Sequence, residues 1–399
     1  MYPRPLRRRR PGRGFAAAVV AAAVVLAACD ADGGDGPHGQ TPGAGDEAAE
    51  GDARGPDGAP PDAAAIVEAA AEAPRLEGVG DASDYVDDFG AEGLQRWQEE
   101  VPGIEDVTIT SSADGAEQPL LWLPPSDEGA PLLVALHTWS TPYLQHLDIP
   151  FGRWAQEQGW GLLHPDFRGA NDNPEATGSD LAVQDVVDAI DFAVEEGGVD
   201  PGRVYTIGFS GGGMLALLLA GRHRDCVSGA VAWAANYDLV DWHRHTAEQF
   251  PEDDYAEWLE SSCGGDPSED PAAEEACLHR SPRAHLDGAR DGGVPVYLAH
   301  GLQDELVPPD HSVRAFDQLA DEEHRLGDDV AETVRGHELP DDLAGELGIE
   351  PLFADDDPEV VFARASGPVM LVLYESDHDL TYHPGLQFLH GLDAVRAGR

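Results

Sequence analysis

The chain has 399 residues, 42% of them hydrophobic, enough to build one large core or two ordinary ones. Its formal net charge is −52, from 76 acidic and 24 basic residues, and every basic residue is arginine. With no basic patch beyond the extreme N-terminus, nucleic acid is excluded as a partner. Two readings of the acidity stay open: the codon bias of a GC-rich genome, or a salt-adapted surface.

In chain order, Arg7–Arg10 and Arg13 form a positive segment ahead of the apolar run 15–26. That run is short for a bilayer span and ends in Leu26-Ala27-Ala28-Cys29. The pattern is that of a lipoprotein signal over 1–28, with Cys29 taking the lipid. It implies an exported protein anchored to the cell membrane and facing outside the cytoplasm. Residues 29–62 are an acidic Gly/Pro/Ala linker with little to bury. From residue 63 to 399 the composition is that of a folded domain. Helical patterns cover 63–75 and 83–100. Strands are expected at 107–110 and 120–123, about the turn Ala113-Asp114-Gly115.

Continuous apolar runs then alternate with amphipathic segments. The runs are 132–137, 160–164, 204–209, 227–234, 294–300 and 368–375, and the helices 148–158, 179–195, 211–221, 311–320 and 385–396. Two acidic stretches, 236–292 and about 321–364, read as irregular, the first as a cap-like insertion. Buried runs alternating with helices mean an α/β fold, with a mostly parallel central sheet covered on both faces. Ligands in such sheets bind beyond the carboxyl ends of the strands.

One run ends in Gly208-Phe209-Ser210-Gly211-Gly212. A serine boxed by glycines between strand and helix can stand on a strained turn, with its hydroxyl clear of the sheet and a helix N-terminus behind it. A hydroxyl nucleophile needs a base, and the base an orienting acid, in the chain order serine, acid, histidine. Asp304 follows the run 294–300, with Glu305 as rival. His378 follows the run 368–375, with His383 as rival. The N–H groups of Gly211 and Trp139 are the expected oxyanion donors, with Thr138 as alternative to Trp139. Arg168, Asn236 and Tyr237 follow strand ends and are candidates for substrate contact; for Arg168 an ion pair with Asp166 or Asp185 competes. Trp233, Trp242, Tyr255 and Trp258 can line the pocket or pack the cap.

These motifs, with "LHTWS" (136–140), "HPDFRGAN" (164–171), "VDPGRVYTIGFSGGG" (199–213), "HGLQDELVPPDHS" (300–312) and "DHD" (377–379), resemble the prolyl-oligopeptidase-like group of α/β-hydrolases over about residues 104–398. The resemblance implies a serine peptidase or esterase with Ser210 as nucleophile, Asp304 as acid and His378 as base. The sequence departs from the family pattern in two places. No propeller-like repeats precede the domain, and His137-Thr138 stands where His-Gly is frequent. Expected substrates are peptides or esters, including small or carbohydrate-linked esters. The rival of another class is a catalytically silent surface binding protein on a hydrolase scaffold.

Export also implies an oxidising compartment, so Cys263 and Cys277 are expected to pair across a loop of about 15 residues, leaving Cys226 as a buried thiol. No metal or other cofactor is expected. Asp241-x-His243-x-His245 has ligand-type residues but no further histidine or cysteine cluster at suitable spacing.

Overall fold

A computed structural model describes residues 60–72, 91–341, 343, 348–353 and 357–398. The expected signal, Cys29 and nearly all of the linker lie outside them. Helices α1 (Ala63–Ala70) and α2 (Leu94–Glu100) precede a hairpin of β1 (Glu105–Thr110) and β2 (Glu117–Leu123). The alternation then runs β3 (Leu132–Leu136), α3 (Ile149–Gln158), β4 (Gly161–Pro165), α4 (Asp180–Gly197), β5 (Val204–Phe209), α5 (Gly211–Arg222) and β6 (Gly229–Trp233). Four short helices follow: α6 (Leu239–Gln249), α7 (Tyr255–Cys263), α8 (Pro271–His279) and α9 (Leu286–Gly292). The chain closes with β7 (Val296–Gly301), α10 (Asp310–Leu319), α11 (Asp328–Arg335), β8 (Val360–Ser366), β9 (Val369–Tyr374) and α12 (Tyr382–Arg396).

The nine strands form one sheet in the order β1-β2-β4-β3-β5-β6-β7-β9-β8. The centre, from β4 to β9, is parallel, and both flanks are antiparallel. Alternate residues of each central strand enter opposite cores. Leu132, Val134 and Leu136 of β3 pack with α4 and α5, while Leu133 and Ala135 pack with α1, α3 and α12. Two covered faces explain why these strands read as unbroken apolar runs. Register brings the carboxyl ends level: Leu136 pairs with Gly208, Phe209 with Trp233, and Gly301 with Tyr374.

Two stretches expected to be irregular are ordered. The segment 236–292 holds α6–α9, each of only 7 to 11 residues, so no long apolar stripe marks them. Their ends carry local signals instead. Asp238 Oδ1 accepts the N–H groups of Val240 and Asp241 at the start of α6, and Asp270 caps α8. The second stretch holds α11 and the edge strand β8, which is only half buried and interrupted by Arg364. Cys263 and Cys277 are bonded, with Cα atoms 5.2 Å apart, tying α7 to α8. Cys226 is buried.

Candidate active site

Ser210 sits between β5 and α5 with φ 55° and ψ −118°, a left-handed conformation that a side chain adopts only under constraint. The constraint comes from both neighbours. A β-carbon on Gly208 would stand 2.3 Å from the Gly212 carbonyl carbon, and one on Gly212 would stand 2.0 Å from the Leu136 oxygen. No side chain fits at either position, so β3, β5 and α5 close on one another and push Ser210 outward. The Ser210 N–H is held by the Trp233 carbonyl at 2.8 Å, while its Oγ makes no hydrogen bond among the described residues.

Asp304 is fully buried past the end of β7. Its Oδ1 accepts the N–H groups of Leu306 and Val307, both at 2.9 Å. Its Oδ2 lies 2.6 Å from His378 Nδ1 and 3.1 Å from His300 Nε2. Burial opposes charge on this carboxyl, but His378 and His300 outweigh burial and hold it below the usual carboxylate range. An ionised carboxylate oxygen can only accept, so His378 carries a hydrogen on Nδ1 toward Asp304 Oδ2, and Nε2 is left without one. The Phe209 ring packs on His378 at 4.7 Å. Ser210 and His378 line one pocket of about 300 Å³, walled by Trp139, Leu147, Phe209, Trp242, Tyr255 and Leu306. The rivals stand elsewhere. Glu305 is exposed, and His383 is buried with its Nδ1 3.5 Å from Asp357.

The Trp139 amide nitrogen lies beside Gly211, 2.9 Å from where a β-carbon on that glycine would stand. Neither the Trp139 nor the Gly211 N–H has an acceptor among the described residues. The Thr138 N–H is already directed at Gln145 Oε1, 3.3 Å away, which separates the two alternatives for the second donor. Gln145 is a residue that the sequence did not single out. Its Oε1 also accepts the hydroxyls of Thr138 at 2.8 Å and Thr141 at 2.5 Å, and its amide donates to Asp148. Asp148 is in turn 2.7 Å from His164 Nε2. This buried chain fixes the loop after β3. His137 supports the same loop. It stacks on Phe167 at 3.7 Å, and burial lowers its pKa to about 4 against the opposing pull of the Asp166 and Thr138 carbonyls.

Three substrate-contact expectations are corrected. The Arg168 guanidinium is spent on Asp185 at 2.5 Å and Asp114 at 2.8 Å, away from the pocket, so the competing ion-pair reading holds. Asn236 is fully buried and off the pocket wall. Tyr237 donates its hydroxyl to Gln318 at 2.8 Å and lines a second, polar cavity. The chain turns away after β6 through Ala234, φ 44°, which carries both residues past the pocket. Trp233 is likewise core, stacked on Phe151 and edge-on to Tyr297. Of the other aromatics, Trp242 and Tyr255 reach the pocket, and Trp258 backs Tyr255 at 5.4 Å.

Residues 164–342 match the model of the prolyl oligopeptidase family. Feruloyl esterase B of Thermothelomyces thermophilus is 24% identical over 251 residues, covering 59% of this chain and 80% of that protein. Among solved structures, the acylaminoacyl peptidase of Pyrococcus horikoshii aligns with TM-score 0.45 at 14% identity, over 75% of this chain and 41% of that one. A puromycin-hydrolyzing peptidase of Mycobacterium tuberculosis aligns with TM-score 0.46 at 19% identity, over 74% and 38%. A Pyrococcus furiosus esterase aligns with TM-score 0.43 at 16% identity, over 70% and 85%. The chain thus spans about two fifths of the length of the two peptidases. It is a serine hydrolase of the α/β-hydrolase fold, prolyl-oligopeptidase-like in the segment that carries Ser210 and Asp304.

Proposed function

We propose that the chain hydrolyses carboxylic esters with an aromatic or apolar acyl group, through an acyl-enzyme on Ser210. The observation that carries this reading is the hydrogen-bonded pair His378–Asp304 beside a strained serine, in a small pocket walled by Trp139, Trp242 and Tyr255. Apolar rings around the nucleophile favour a flat or greasy acyl group over a charged peptide end. The similarity to a feruloyl esterase points the same way.

In the proposed sequence, Ser210 Oγ attacks the ester carbonyl carbon while His378 Nε2 takes its proton. The carbonyl π electrons move to oxygen, and the resulting oxyanion is held by the N–H groups of Gly211 and Trp139. The C–O bond to the alcohol then breaks, and His378 returns the proton to the leaving oxygen. Water, deprotonated by the same nitrogen, releases the acid and restores Ser210. Asp304 keeps the imidazole in the required tautomer and offsets its charge. Each oxyanion donor of this kind supplies on the order of 10²–10³ in rate.

The second reading, peptide-bond cleavage, is supported by the family model over 164–342. A panel of methyl and p-nitrophenyl esters of aromatic and short aliphatic acids, beside alanyl and prolyl anilides, separates the two. The proposal expects kcat/KM for aromatic-acid esters to exceed that for anilides; the reverse order selects the peptidase. Anchoring through lipid on Cys29 belongs to the same proposal. No helix among the described residues is long and apolar enough to cross a membrane. Detergent partitioning that is lost in Cys29→Ala is the expected result, and unchanged partitioning rejects the anchor.

A further inference from the structure

The string Asp241-x-His243-x-His245 does not act as a unit. Asp241 pairs with Arg335 at 2.7 Å and His311 at 3.3 Å, and His245 Nε2 donates to the Glu305 carbonyl at 2.8 Å. His243 alone turns the other way, into the insertion. Its side chain is only 3% exposed. Its Nε2 lies 3.2 Å from Glu260 Oε1. Its Nδ1 is buried without a hydrogen-bond partner, and the facing acid oxygen, Asp266 Oδ1, is 3.9 Å away. That gap is too long for a hydrogen bond and too polar to be left empty at no cost.

The gap has the size of a bound ion. Two ligands each about 2.1 Å from one metal stand roughly 3.4 Å apart at the tetrahedral angle and up to about 4.2 Å apart when opposed. One ligand atom each from His243, Glu260 and Asp266 can be chosen so that all lie within 4.8 Å of one another. We infer that His243 Nδ1 and Asp266 hold a divalent cation between them, with water completing the coordination and Glu260 orienting the ring by accepting the hydrogen of His243 Nε2. Imidazole and carboxylate ligands suit Zn²⁺ or Mn²⁺ better than Ca²⁺, which takes six to eight oxygens. The partly exposed carboxylates give the ion an entry path, and the buried ring closes the site behind it.

The three residues come from separate pieces of the insertion. His243 is on α6, Glu260 is in the last turn of α7, and Asp266 follows the turn at Gly264-Gly265. The Cys263–Cys277 bond pins this corner to α8. A bound ion therefore braces α6 against α7, and these helices present Trp242 and Tyr255 to the Ser210 pocket. The site is independent of the hydrolytic reading: it concerns the insertion whether or not Ser210 is the nucleophile.

The test uses the full chain stripped with chelator and dialysed, then titrated with ZnCl₂ by calorimetry and melted with and without ion. The expected result is one strong site per chain and a Tm raised by several degrees on saturation. Asp266→Asn, at a partly exposed position, should keep the fold and weaken Zn²⁺ binding at least tenfold. His243→Gln should abolish the Tm response. An absence of stoichiometric binding by the wild type would overturn the inference. So would binding left unchanged by Asp266→Asn or by the Glu260→Gln/Asp266→Asn pair, because the ion would then sit elsewhere on this acidic surface.

Discussion

Replacing Gln145 by leucine tests whether the oxyanion loop is held from behind. The variant fills the same space but removes an acceptor shared by three donors and a donor to Asp148. The hydroxyls of Thr138 and Thr141 are 2.9 Å apart and can satisfy each other. The Thr138 N–H cannot be satisfied in this way, while Asp148 Oδ2 keeps His164 but loses the bond from Gln145. One stranded N–H at about 1–2 kcal/mol and one lost bond to a carboxylate at about 1–2 kcal/mol give a stability loss of about 2–4 kcal/mol. In a domain of this size that lowers Tm by about 4–8 °C. The Trp139 N–H, next in the chain to Thr138, should then drift from the oxyanion position. Complete loss of such a donor costs about 10²–10³, so a displaced one should cost about 10–100-fold in kcat, with KM within about threefold. Steady-state kinetics on a p-nitrophenyl ester, beside thermal melts, read both quantities. Gln145→Glu, which keeps the acceptor oxygens and sets a second carboxylate against Asp148, should lose at least as much stability. A Gln145→Leu enzyme that melts lower but keeps kcat within twofold would refute the claim that this network positions the loop.

Three further outcomes follow from the geometry. Asp304→Asn must present an amide N–H to one of several donors, including two backbone N–H groups and His378, so kcat should fall by about 10³–10⁴ while substrate binding persists. Asp191 has its pKa raised to about 6 by burial and by the charges of Asp188 and Glu195. The folded state therefore binds its proton more tightly than the unfolded state, and stability contributed by the protonated form is lost as pH rises from about 4 to 6. Asp191→Asn should gain about 1 kcal/mol at pH 7, allowing for its partial exposure, and nothing at pH 3, as read from urea unfolding at the two pH values. Finally, a formal charge of −52 repels itself, and raising ionic strength from about 0.1 M to 1 M shortens the screening length from roughly 10 Å to 3 Å. Tm should rise with NaCl over that range, and a flat or falling Tm would show that the acids are paired or well solvated.

What the sequence disclosed was what local chemistry controls. Gly208 is dictated by Gly212 four residues on and Gly212 by the Leu136 carbonyl of β3, yet both demands are answered by glycines within one five-residue string, so the elbow at Ser210 was readable. Asp304 and His378 were readable because each directly follows a buried strand, and strand ends converge in a parallel sheet. Gln145 was not, because its partners come from residues 138, 141 and 148, and Asp148 is fixed by His164 on another strand. Asn236 and Tyr237 met the same strand-end rule as His378, yet a turn at Ala234 carries Asn236 into the interior and Tyr237 to a different cavity. The edge strand β8 escaped because only one side of it pairs and its burial is partial, which breaks the apolar run. The helices of the insertion escaped because each is too short for an extended apolar stripe, and His243 could be placed only once Glu260 and Asp266 were seen beside it.

The most direct test of the hydrolytic account is covalent labelling of the intact protein with a fluorophosphonate, with the modified peptide located by mass spectrometry. The account predicts one adduct per chain on the peptide containing Ser210, slow labelling in His378→Ala, and neither label nor ester turnover in a folded Ser210→Ala. A wild-type adduct on another residue, or turnover retained by Ser210→Ala, would contradict it.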